Sequence, residues 1–136
     1  MTESEWHASK DPEPMLEYLR SRTSDRKLRL FAVACCRRIW DLIPEEERER
    51  TVLLAERFAD NAATKGELGF ARRKAVKRRS NPGDLGGSNA SAAATFKSPF
   101  GAASNAWRNA VLAVAHAALR SHRASPQQGI AAWERS

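Results

Sequence analysis

The chain has 136 residues, 42% of them hydrophobic and 29% charged, which fits one globular domain able to hold a core without disulfides or a structural metal. Its longest apolar runs, residues 30–36 and 110–115, fall far short of the roughly 18 residues that cross a bilayer, and its acidic start, Met1-Thr2-Glu3-Ser4-Glu5, is unlike a secretory signal; a cytoplasmic protein without membrane insertion is expected. Residues 1–60 hold 11 Lys and Arg against 13 Asp and Glu, whereas residues 61–136 hold 12 against 3, so the net +7 belongs to the second half and favours an anionic partner.

Thr2 and Glu5 have the spacing of a capping box, which starts a short helix carrying Trp6. Asp11-Pro12 repeats the start signal, and Met15, Leu16 and Leu19 give a second helix its apolar spacing. Ser24 caps the strongest helix, over about 25–42, with Asp25 near the positive end of the dipole. Leu28, Phe31, Ala32, Cys35, Ile39 and Leu42 form one stripe on it, and Val33, Cys36, Trp40 and Ile43 a second beside the first. Two adjoining apolar faces predict neighbours on both, so this helix is expected to be the centre of the core.

Pro44 closes that helix and opens the next, whose first turn holds Glu45, Glu46 and Glu47. Val52, Leu54, Ala55, Phe58, Ala59 and Ala62 supply its buried face, and the short link predicts an antiparallel hairpin. Thr64 and Glu67 cap a helix from Lys65 to about Arg79, with Leu68, Ala71 and Ala75 inward. Over residues 80–105, 14 of 26 positions are Gly, Ser, Asn or Pro, which predicts a flexible loop or linker anchored by Phe96 and Phe100. Helical spacing resumes to about Arg120, with Trp107, Val111, Val114 and Ala118 on one side and Leu112, Ala115 and Leu119 beside them. Ser125-Pro126 predicts the start of a last helix carrying Ile130 and Trp133. No alternating pattern competes, so the expected fold is all-α: a small antiparallel helical bundle with one flexible Gly/Ser/Asn-rich insertion. In this division residues 1–79 form the helical core with a basic end, 80–105 the loop, and 106–136 helices packing on the same core.

The residues that carry chemistry are sparse. His116 and His122 are six apart on a helix and diverge by roughly 120°, so with His7 they make no metal set. Cys35 and Cys36 are adjacent, cannot bridge within a helix, and match the apolar stripes, so both are expected as reduced core thiols; a nearby Arg37 or Arg38 would activate a thiol only if the sulfur were exposed. The run Gly83-Asp84-Leu85-Gly86-Gly87 lacks the Gly-Lys-Ser/Thr ending of a phosphate loop. No nucleophile–base–acid set stands out, so no enzyme and no cofactor are expected.

The basic run is the exception. Arg72, Arg73, Lys74, Lys77, Arg78 and Arg79 fill six of eight positions, enough to neutralise phosphates but poor in the aromatic platforms that single-strand binders add. A solvated helix end is the ordinary alternative. On the core helix Arg26, Arg29 and Arg37 share one side and Lys27 and Arg38 another; pairing with Asp41, Glu45–Glu47 or Glu49 is the ordinary reading and anion recognition the sharper one. Trp6, Trp40, Trp107 and Trp133 fall on four separate helices; three are expected to pack together and the most exposed to mark a partner surface.

Thr2-Glu3-Ser4-Glu5-Trp6, Asp11-Pro12 and the run Arg26-Lys27-Leu28-Arg29-Leu30-Phe31-Ala32-Val33-Ala34-Cys35-Cys36-Arg37-Arg38-Ile39-Trp40 resemble a large set of paralogous bacterial proteins best represented among planctomycetes. The resemblance covers about residues 1–71, including Ala55-Glu56-Arg57-Phe58-Ala59-Asp60, and implies no activity and no catalytic or binding residues. The basic run and glycine-rich loop depart from the Ala- and Trp-rich helix of that set, as a shortened or diverged paralogue would. Together these features predict a non-enzymatic helical interaction module with a protein partner. The alternative is nonspecific association with nucleic acid or another polyanion through residues 72–79.

Overall fold

A computed structural model describes residues 1–78 and 87–135, and the side chains of residues 1–77 and 87–121. The described residues form a helical bundle without strands. The helices are α1 (Glu3–Ala8), α2 (Pro12–Leu19), α3 (Asp25–Arg38), α4 (Glu45–Glu47), α5 (Leu54–Ala59), α6 (Lys65–Arg78), α7 (Gly87–Ala94) and α8 (Pro99–Arg135). The starts of α1, α2, α3 and α6 follow cap residues. Thr2 and Glu5 close a complete capping box, the Asp11 carboxylate accepts from the Glu13 amide, the Ser24 hydroxyl from Lys27, and Thr64 and Glu67 close a second box.

Helix α3 ends earlier than its stripe suggests. Pro44 disfavours a helical conformation at the residue before it, and Ile43 is extended at φ −96° and ψ 129°, so residues 40–42 close as a single 3-10 turn. Between α4 and α5 the chain winds as a π-helix over Arg48–Leu53. There the Thr51 hydroxyl donates to the Glu47 carbonyl at 2.6 Å, a side-chain competitor for the regular amide ladder. Two ion pairs tie α3 to α5: Arg26 with Asp60 and Arg37 with Glu56. They run in opposite order along the two helices, as an antiparallel hairpin requires. The partners expected for these arginines, Asp41, Glu45–Glu47 and Glu49, are not the ones used, because the 3-10 and π turns place the α5 carboxylates opposite α3 instead.

Helix α5 stops in a Schellman turn. The Asn61 amide donates to Phe58 and the Ala62 amide to Arg57, with Asn61 in the left-handed region at φ 59°. Ala62, expected on the buried face, lies beyond this stop and is exposed.

The largest correction falls on residues 80–105. Residues 79–86 lie outside the described set, but residues 87–94 and 99–105 of the expected loop are helix, joined by a four-residue link. Nearly every residue of α7 is buried, including Ala90, Ser91, Ala92, Ala93 and Ala94. Small side chains read as flexible in sequence are here what lets a helix sit between α3 and α8. Alanine is the best helix former, and the absence of bulk permits close approach. Gly87 shows the limit of this packing: a Cβ there would sit 2.0 Å from the Leu42 carbonyl oxygen. The core polar groups of the segment bond locally, Ser91 Oγ to the Ser88 carbonyl at 3.0 Å and Thr95 Oγ1 to the Ala92 carbonyl at 2.6 Å.

The main core joins Ala32, Val33, Cys36, Ile39 and Ile43 to Val52 and Ala55, to the α7 alanines, and to Ala102, Ala106, Ala110 and Ala113 of α8. A smaller cluster of Leu16, Leu28 and Ala103, with Phe31 and Phe100 packed on it, seats α2. On α8 the buried positions 102, 106, 110 and 113 are therefore an alanine stripe, while Val111, Leu112, Val114 and Leu119, expected inward, are 51–59% exposed. The helix also runs without interruption to Arg135, so the expected start of a separate helix at Ser125-Pro126 does not occur. No two tryptophans stack among the described residues. Trp6 meets Tyr18 edge-on at 6.3 Å, and Trp40 lies under Arg37 and Arg48. Trp133 lies outside the described side chains.

Candidate anion-binding cleft

Helix α3 carries Arg26 and Arg29 one turn apart on the side that faces the α5–α6 corner. Arg26 stays at the surface, bonded to the Asp60 carboxylate at 2.6 Å. Arg29 does not. It is 2% exposed, and its guanidinium donates to two backbone carbonyls, from Nη1 to Ala94 at 2.9 Å and from Nη2 to Lys97 at 3.2 Å. These carbonyls end α7 and begin the link to α8, so the cation occupies the negative end of the α7 dipole. The Phe58 ring lies 5.0 Å from the guanidinium carbon. Burial lowers the Arg29 pKa and the nearby Asp25 carboxylate opposes that shift; an arginine remains charged at neutral pH.

Arg29 forms part of the wall of a cleft of about 730 Å³ between α3, the α5–α6 corner, α6 and the α7–α8 link. Lys65 and Arg72, two turns apart on one face of α6, line it, and Gly66 and Gly69 lie between them, leaving backbone rather than side chain along that wall. Lys97 lines it from the opposite link. Five cationic residues thus face one cleft, against the single carboxylate of Asp25. Among the described residues only Arg26 of the five is ion-paired. The apolar surface comes from Phe58, Leu68 and Pro99.

The basic run does not make one surface. Arg72 enters the cleft, its guanidinium 5.3 Å from the Phe96 ring centre. Arg73 is exposed beside Gly69, and Lys77 is exposed further along the helix. Lys74 faces a second, smaller cleft of about 470 Å³ where Glu47, Glu49 and Glu67 balance Arg50 and Arg57, and it lies 4.8 Å from the centre of the exposed Phe70 ring. The Arg78 side chain and Arg79 lie outside the described set.

Lys65, Lys97 and Arg29 were not singled out by the sequence as a set, although Arg29 carried a signal. Positions 29, 33, 36 and 40 step along one face, so the second apolar stripe continues into an arginine.

Both thiols face inward. Cys36 is fully buried and donates to the Ala90 carbonyl at 3.3 Å, and burial pushes its pKa up to about 12; Cys35 is raised to about 11 for the same reason. They sit as packing groups rather than nucleophiles. Among the described residues no three His, Cys, Asp or Glu side chains gather as metal ligands, and no helix is long and apolar enough to cross a membrane. No protein-family model matches the chain, nor does any curated protein or solved structure.

Proposed function

We propose that the protein is a non-enzymatic helical interaction module that docks an acidic segment of a partner protein in the cationic cleft. The observation that carries this reading is the five-to-one excess of cationic over anionic residues along one cleft that also offers apolar walls. Its aromatic residue, Phe58, already has the Arg29 guanidinium against its ring, as Phe96 beside the cleft has Arg72, an arrangement poor in open platforms for stacked bases. The free thiols of half-buried Cys35 and buried Cys36 support a cytoplasmic setting.

A second reading has one observation in its favour. Phe70 is 55% exposed beside Lys74, on the helix that also exposes Arg73 and Lys77, and an exposed ring with cations suits single-stranded nucleic acid. Fluorescence anisotropy with a labelled Glu-rich decapeptide and with a labelled single-stranded oligonucleotide separates the two. The peptide is expected to bind and to be lost in the Lys65→Ala/Arg72→Ala variant, but not in Lys74→Ala/Lys77→Ala. Tight oligonucleotide binding that falls steeply with salt and is abolished by the second pair of substitutions would replace the first reading with the second.

A further inference from the structure

We infer that the group recognised in the cleft is a phosphate monoester borne on the acidic segment, a phosphoserine or phosphothreonine, seated over Arg29 in the cleft wall. The inference rests on the reading of the cleft as a docking site for such a segment.

Arg29 is the fixed point of the site. Two of its five N–H donors go to the Ala94 and Lys97 carbonyls, and no carboxylate bonds to it among the described residues. A guanidinium held by two carbonyls and a ring is ordered before any ligand arrives, so binding removes little of its freedom. It is also a desolvated cation whose nearest opposite charge, Asp25, lies on its own helix one turn back. An incoming anion adds a hydrogen-bonded counter-charge to the through-space one that Asp25 supplies.

The number of cations favours phosphate over carboxylate. Arg29, Lys65, Arg72 and Lys97 line the cleft without an ion-paired carboxylate among the described residues. A phosphate monoester brings a charge of about −1.5 to −2 and three acceptor oxygens, against one charge and two oxygens for a carboxylate, and arginines engage it with paired donors. Phe58, Leu68 and Pro99 then offer apolar surface to residues flanking the phosphorylated one.

The test uses three degenerate decapeptide pools identical except at a fixed central position, which is phosphoserine, aspartate or serine, with affinities read by anisotropy on the full chain. The phosphoserine pool is expected to bind about tenfold or more tightly than the aspartate pool, with serine weakest. That preference should fall to near unity in Lys65→Ala/Arg72→Ala, whose altered side chains are exposed. Arg29→Lys, which keeps the charge but loses the fork, should reduce it while a thermal melt reports on folding. Equal binding of phosphoserine and aspartate pools would overturn the phosphate assignment and leave acidic docking standing. Failure of all three pools would overturn both. A preference that survives in Lys65→Ala/Arg72→Ala would move the site elsewhere, and equal affinity for phenyl phosphate and the phosphoserine pool would overturn the protein-borne source.

Discussion

The two sides of α7 are built on opposite principles. Toward α8 and α3 it presents alanines in an apolar contact, and at its start Gly87 has no room for a methyl group against Leu42 in the turn after α3. At its carboxyl end, only a few residues on, its last carbonyl and that of Lys97 hold the Arg29 cation over a cleft lined by lysine and arginine. The first region derives its strength from the absence of side chains. In the second, the charged side chain takes part in both structure and recognition. Close packing of small side chains thus supports a cation without an ion-pair partner, and the chemistry of the molecule concentrates at the edge of its alanine-lined interface.

Substitutions that strike one side and spare the other break this comparison most directly. Gly87→Ala places a Cβ 2.0 Å from a backbone oxygen, far inside van der Waals contact, and is expected to cost about 3 kcal/mol through displacement of α7, measurable as a lowered denaturant midpoint. Arg29→Met keeps the volume but leaves two carbonyls without their donor, an expected loss of about 2 kcal/mol by the same measurement, accompanied by weaker peptide binding. Alkaline pH acts on the apolar side. Cys36 keeps its proton in the folded chain to about pH 12, whereas an unfolded thiol releases it near 9, so stability falls as pH rises above 9. Cys36 is expected to account for about 1 kcal/mol of the loss by pH 10 and Cys35 for a similar amount, so the fall should be roughly halved, not abolished, in Cys36→Ala. The smallest effect is expected from Leu112→Gln on the exposed face of α8, within about 0.5 kcal/mol, although sequence periodicity counts that leucine as core.

Helix type, the starts of α1, α2, α3 and α6 and the identity of the central helix were legible in the sequence because each has a local cause. Caps at Thr2, Asp11, Ser24 and Thr64 satisfy amides two or three residues away, and the α3 stripes bury Leu28, Ala32, Val33, Cys36 and Ile39 as their spacing requires. What escaped depends on distant partners. Glycine, serine and asparagine over 87–94 look like a loop until α3 and α8 are placed around them, since smallness signals freedom in isolation and proximity inside a bundle. The same ambiguity reversed α8, where bulk suggested Val111 and Leu112 as the core and closeness selected Ala106, Ala110 and Ala113.

The cleft was legible only in fragments. Arg72 stood out within its run, and Arg26 and Arg29 were grouped on one helix side, but α3 and α6 had to be brought together for these to share a site. Lys65 and Lys97 are single lysines in sequence, and nothing local distinguishes them. Conversely, the run that drew attention as a unit was divided by helical geometry, Arg72 going to one cleft and Lys74 to another.

The amino-terminal pair of helices is fastened differently from the rest. Helix α1 buries no residue and α2 buries Leu16, which enters the smaller cluster rather than the main one; Glu13 pairs with Arg108, and Arg20 covers Phe100. Because the larger alanine-lined core does not include these groups, the pair forms a separable clasp whose amides exchange with solvent ahead of those of α3. Added salt weakens the Glu13–Arg108 tie, its one long-range ion pair among the described residues, so higher ionic strength is expected to uncover Phe31 and Phe100 more often while the bundle itself stays closed.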